Sequence, residues 1–328
     1  MKLRLLAIAA ATAAVLAAVT AGTAGAAVTC TPTGFVRDNM NLTAVLINPG
    51  KVTGPVDATG CNIGVYYGPG SKGQVNKAEV FGANYFGIVN NGAKVDIQNS
   101  YVHDIGEHPF DGTQHGVGIY FAYDSGATGD IANNTVSRYQ KGGIVVNGAS
   151  DSANIHNNTV TGLGRVAFIA QNGIQVGFGA SGDVSNNTVT DNAYTGPGQT
   201  VSTGLLVFGG CGDPLSVGDD IHNNTLVSND VGVYLDNETD ACDGTPPATP
   251  TKGKIHNNSI SNDAVTNTTG DGTRGYQAGI VDIGNGDQIS NNTISGAGYA
   301  PKDDATAFVT PIDTSDAVNP KLKKNKTA

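Results

Sequence analysis

The sequence predicts an all-β chain wound as a parallel β-helix. Three observations predict it: a recurring hexapeptide with two asparagines, a Gly-aliphatic motif that alternates with it, and a composition that disfavours helices. The hexapeptide reads IANNTV at 131–136, IHNNTV at 155–160, VSNNTV at 184–189, IHNNTL at 221–226, IHNNSI at 255–260 and ISNNTI at 289–294. Its starts are therefore 24, 29, 37, 34 and 34 residues apart. Weaker copies, IQNSYV at 97–102 and VNKAEV at 75–80, extend it upstream. The base unit is 22–24 residues, with insertions of varying length.

The second motif is Gly, an aliphatic residue, any residue, then another apolar one. It appears as GIVN at 87–90, GIYF at 118–121, GIVV at 143–146, GIQV at 173–176, GLLV at 204–207, GVYL at 232–235 and GIVD at 279–282. Alternating apolar positions over so few residues mark short strands. Each unit thus holds one strand at the Gly motif, one before the Asn pair and one after it. Three short strands in about two dozen residues make one coil, and stacked coils pair each strand with its equivalents above and below. Ile155 is expected over Ile131 and under Val184. The composition agrees: 46 Gly, no Trp and few charges, in a chain rich in the poor helix formers Asn and Thr.

The Asn pair marks a bend too tight for a loop. Such a bend needs a left-handed backbone, which Gly and Asn adopt at least cost. Asn134, Asn158, Asn187, Asn224, Asn258 and Asn292 are expected to take this bend or to stack as an amide ladder, with the preceding Asn flanking. Asn-Asn-Thr is also formally a glycosylation acceptor, but that reading explains neither the flanking aliphatics nor the period.

These alternating motifs resemble the right-handed parallel β-helix proteins of the pectate-lyase-like superfamily, over about 75–300. The resemblance implies a right-handed helix, and the motifs give it three short sheets and about nine coils. It implies no single chemistry, since lyases, hydrolases, epimerases, adhesins and members without activity share the scaffold.

The ends read differently. Residues 1–27 have a charged start, an apolar Ala/Leu/Val run and small residues before a cut near Ala26 or Ala27, the pattern of a secretory signal peptide. The mature chain is expected to be secreted, extracellular and monomeric, with no later membrane-crossing segment. Residues 28–74 are expected to cap the first strands, 75–300 to form the β-helix, and 301–328 to cap or trail it. Four cysteines in a secreted chain suggest two disulfides. Local pairing of Cys30 with Cys61 and of Cys211 with Cys242 is the simplest of three arrangements. A net charge of −10 opposes nucleic acid as a partner.

Insertions gather away from the Asn corner and are expected to wall a groove along the Gly-strand sheet, where a polysaccharide would lie by analogy with related folds. The richest loop, 103–116, holds His103, Asp104, Glu107, His108, Asp111 and His115, groups suited to acid–base work or to a metal. Arg138, Tyr139, Lys141 and Arg165 follow one and two coils later. Cations beside a groove would neutralise a uronate carboxylate and acidify its α-proton, so β-elimination on a uronate polymer is the leading chemical expectation. Tyr120, Gln175 and Tyr234, in the outward row of the Gly-strands, are candidates to hold sugar rings. That row, completed by Val145, Leu206 and Val281, carries no carboxylate, which opposes inverting hydrolysis. The acidic loop 236–244, with Asp236, Glu238, Asp240 and Asp243, has oxygen donors dense enough for Ca2+. His156, His222 and His256 are read as a surface stack. The competing class is a non-catalytic extracellular scaffold or surface-interaction protein.

Overall fold

The computed structural model describes residues 28–328; the signal-peptide expectation for 1–27 lies outside the described residues. Ten Gly-motif or equivalent strands, from Met40–Ile47 to Ala307–Asp313, pair in parallel in one continuous sheet. There are thus ten coils, one more than the motifs suggest. The strands before and after each Asn pair form two further parallel stacks that meet at the Asn corner. The stack begins before residue 75 and continues past 300: Val52 pairs with Val75, and Lys321–Lys323 and Lys326–Thr327 pair with the Asn-motif strands of the preceding coil.

The register follows the motif. Ile131 pairs with Ile155, Ile155 with Val184, and Val184 with Ile221. Three aliphatic columns fill the interior, one from each strand type, as in Ile144, Ile155 and Val160, all fully buried. Each such side chain contributes about 1.5–3 kcal/mol when removed from water. The Gly of the motif is there for space. A Cβ on Gly143 would lie 2.4 Å from Val160 and 2.5 Å from the Gly173 carbonyl.

The Asn pair divides its labour differently from expectation. The left-handed residue is the first asparagine: Asn133, Asn157, Asn186, Asn223, Asn257 and Asn291 have φ between 56° and 58°. The second asparagines are not in the left-handed region. Asn134, Asn158, Asn187, Asn224, Asn258 and Asn292 are buried and form the ladder. The Nδ2 of Asn158 donates to Asn187 Oδ1 at 3.0 Å and to the Ile131 carbonyl at 2.8 Å, while its backbone N–H donates to the same Asn187 oxygen at 2.9 Å. The same bonds repeat coil by coil from Ser100 to Asn325. The second Asn is inside because its amide satisfies backbone groups that the sharp corner strips of partners.

A second left-handed position lies within or just after the strand that follows the Asn pair, at Gly82, Asp104, Arg138, Asp191 and Ser228. It breaks the alternation of inward and outward residues. Tyr139 therefore turns into the core, fully buried, and its hydroxyl donates to Asn192 Oδ1 at 2.6 Å. Disulfides join Cys30 to Cys61 and Cys211 to Cys242. No helix among the described residues is long and apolar enough to cross a membrane.

Candidate functional site

The outer face of the Gly-strand sheet carries a groove. The register sets its floor: Val89, Tyr120, Val145, Gln175, Leu206, Tyr234 and Val281 pair in succession, as alternation predicts, and the row then reaches Asp313. The row does end on a carboxylate, in the tenth coil, beyond the Gly motifs that define it in the sequence. Two hollows, of about 410 and 700 Å³, share Lys141, Asn172, Leu206 and Phe208 and so form one channel along the helix axis.

Its middle is a preset amide network. Thr203 Oγ1 donates to Asn172 Oδ1 at 2.9 Å, Asn172 Nδ2 to Gln175 Oε1 at 3.0 Å, and Gln175 Nε2 to Asn147 Oδ1 at 3.0 Å. Aromatic rings flank it. Phe178 and Phe208 pack edge to face with centroids 5.0 Å apart, and Tyr123 packs on Phe178 in the same way. Lys141 donates from Nζ to the Ala170 carbonyl at 2.9 Å, and burial holds its pKa below the usual lysine value. Tyr120 is 3 % exposed, so it is a sealed floor residue, whereas Gln175 and Tyr234 reach the channel.

The larger hollow is acidic. Asp236, Glu238, Asp271, Asp313 and Asp316 line it beside Tyr234 and Tyr276. Burial first, and then the adjacent Glu238 carboxylate, push the Asp236 pKa well above the carboxylate range. Asp236 Oδ1 is buried without a donor of its own. Burial beside a second carboxylate therefore favours the protonated form of Asp236. Asp313 differs, since it accepts a hydrogen bond from the Tyr276 hydroxyl at 2.7 Å.

The residues selected for β-elimination do not assemble. His103 projects from the strand after the Asn pair, on a different face from the groove. Its ring lies between Phe81 and Tyr101, and its nitrogens are taken by Asp104 at 2.6 Å and Glu79 at 3.2 Å. Arg138 is bound to Asp104 on that same face. Burial works against ionised Asp104, but His103 and Arg138 outweigh it and hold its pKa below the ordinary value. Arg165 is exposed on the outer strand-end side, beside Asp191 and Asp263, and His108 is exposed next to Phe110. Asp111 caps Thr113, whose side chain and backbone N–H keep its pKa low. Only His115 and Lys141 of that set line the channel. His115 stacks on Tyr85 at 3.8 Å and bonds Glu107 at 2.9 Å.

Buried Gln140 organises the 103–116 loop. Its oxygen accepts from the Glu107 and Asp111 N–H groups, and its nitrogen donates to the Thr113 carbonyl. In the 236–244 loop, Asp240, Asp243 and Glu238 accept from the backbone N–H groups of Gly212, Thr245 and Gly244. Among the described residues the one close set of His, Cys, Asp and Glu ligand atoms there is Glu238 with the disulfide-bonded Cys211 and Cys242. His222 and His256 stack at 5.0 Å, as a surface ladder should.

The chain matches the family model for the right handed beta helix region over residues 51–221. None of the curated proteins matches it. Among solved structures it is similar to the crystal structure of the Dettilon tailspike protein, at 15 % identity and a TM-score of 0.42, with 85 % of this chain covered. The chain spans 61 % of the length of that one.

Proposed function

We propose, from the premise that this chain belongs to the right handed beta helix family, that the Gly-strand groove binds an extended, uncharged polysaccharide outside the cell. The observation that carries this is the amide network of Thr203, Asn172, Gln175 and Asn147 set between aromatic rings along one channel. Amides exchange bidentate hydrogen bonds with sugar hydroxyls, and rings cover their apolar faces. Charge selects the class of polymer. With Asp236 held protonated, the channel is still lined by Asp38, Glu238, Asp271, Asp313 and Asp316 against Arg37 and Lys141. A field of that sign repels uronate polymers, so β-elimination on a polyuronate has less support than binding of a neutral chain. Two disulfides fit an oxidising compartment, in keeping with a leader ending near Ala26 or Ala27.

The test is titration calorimetry with xylan, mannan, galactan and starch beside pectate and alginate. A neutral polymer should bind, and Gln175→Ala should weaken it about tenfold by leaving Asn172 and Asn147 unpaired. Binding of the uronates alone, or an unchanged affinity in the variant, would overturn the reading.

A second reading, hydrolysis of the same polymer, is favoured by the Asp236–Glu238 pair. A carboxyl kept protonated near neutrality can donate to a glycosidic oxygen, while the Asp313 carboxyl, held by the Tyr276 hydroxyl, can orient water. Release of reducing sugar that disappears in Asp236→Asn supports it; binding without release leaves a non-catalytic receptor.

A further inference from the structure

The outward row is sealed at one end of the helix and open at the other. Tyr66, Val89 and Tyr120 point out of the coil, yet they are at most 4 % exposed. The strand Thr31–Arg37 and the turn after it cover them. Phe35 lies 6.0 Å from Tyr66 and 6.3 Å from Phe86, and the Arg37 guanidinium stands over the Tyr120 ring at 5.9 Å. Tyr85 donates its hydroxyl to Asp38 at 3.1 Å. This strap is pinned at its base by Cys30–Cys61 and runs antiparallel to Met40–Ile47. Beyond it Gln175, Leu206 and Tyr234 reach the channel.

We infer that the groove is blind at the strap and receives the terminus of a polysaccharide, the last sugar ring seating against Arg37, Asp38 and His115. This rests on the groove reading above. A mid-chain segment would have to continue across Tyr120 and Tyr66, where Phe35 and Arg37 already lie. A terminal ring stops there and offers hydroxyls that an interior ring has lost to linkages. Arg37, which has no ion-pair partner within 4.0 Å among the described residues, presents donors at that wall, and Asp38 presents an acceptor. Tyr85 and His115, stacked at 3.8 Å, form the adjoining side.

The experiment uses the full chain and one neutral polymer from the panel, intact and after limited cleavage that gives about ten times more ends at equal mass. Cyclic glucans serve as endless probes of the same linkage where starch is the polymer. End-on binding predicts a half-saturating mass concentration about tenfold lower for the cleaved sample, no competition by the cyclic probe, and about tenfold weaker binding in Arg37→Ala/Asp38→Ala. Equal mass affinity for intact and cleaved polymer, or competition by the cyclic probe, overturns the blind end and leaves the groove reading standing. Binding of no polymer in the panel overturns both. Circular dichroism of the double variant, whose two side chains are exposed, separates loss of fold from loss of the subsite.

Discussion

Replacing Asn187 by alanine should be far more damaging than replacing Asn186, its neighbour in an identical dipeptide. Asn187 Nδ2 donates to the Ile155 carbonyl at 2.9 Å and to Asn224 Oδ1 at 3.1 Å. Its oxygen accepts the Asn158 backbone N–H at 2.9 Å and the Asn158 side chain at 3.0 Å. Alanine removes all four bonds, each worth about 1 kcal/mol net, and strands the Asn158 N–H and the Ile155 carbonyl in the interior at about 1 kcal/mol or more apiece. The total is about 6 kcal/mol, a large part of any domain's margin. Asn186 is exposed and contributes its tolerance of φ 56°. Its replacement by alanine costs about 1 kcal/mol, and glycine there should cost less. Urea denaturation followed by far-ultraviolet circular dichroism at neutral pH gives both values. Asn187→Ala and Asn186→Ala lying within about 1 kcal/mol of each other would refute the division of roles between the two asparagines.

Stability should fall as pH rises from about 4 to about 7. Burial raises the Asp219 pKa to about 7 and that of Asp230 to about 6, from 3.8. A raised carboxylate favours the fold while protonated, and that contribution is lost as pH passes its folded value. For Asp219 it amounts to at most about 4 kcal/mol. Thermal midpoints across this range should flatten in Asp219→Asn, which keeps an acceptor for the Gly182 N–H; an unchanged slope would count against the argument. The lowered carboxyls, Asp104 and Asp111, act in the opposite sense and only at pH values below the ordinary carboxylate range. Tyr139→Phe should cost about 1–2 kcal/mol through the orphaned Asn192 oxygen and leave glycan affinity unchanged, checked by denaturation and calorimetry together. Replacing Cys211 and Cys242 by serine should lower stability by about 3 kcal/mol and weaken glycan binding, since Cys242 lines the larger hollow; full affinity would dissociate that wall from the site.

The repeat made the coil, its register and the parity of the outward row legible, because burial of Ile131, Ile155 and Val184 forces a fixed phase on every strand. It could not say which Asn of each pair bends. Both residues suit a left-handed backbone, and the choice is made by which side chain can reach the stripped carbonyls of the preceding coil. Tyr139 was misplaced because strand alternation fails across Arg138, whose left-handed backbone the residue type does not advertise. The cluster of His103, Asp104 and Arg138 is real as a set of contacts, but it sits on the wrong face, for the same reason. The acidic half of the groove is hidden because Asp313 joins the outward row from Ala307–Asp313, a strand without the Gly motif, and Asp236 is drawn to Glu238 by the turn that follows its strand. The strap over Tyr66 and Tyr120 carries no repeat, so periodicity is silent about it.

The amide row has a direction. Each asparagine in it donates from its side-chain amide onward to the next asparagine's oxygen and back to a carbonyl of the preceding coil, with the same geometry whether 24 or 37 residues of chain lie between. Each turn is therefore an interchangeable module with matching connectors on both sides. Excising residues 134–157 would bring Asn158 to the Ser100 amide in place of Asn134, and the row would close over the gap. Lengthening or shortening the molecule by whole turns changes how many sugars its cleft spans without rebuilding the interior that supports it.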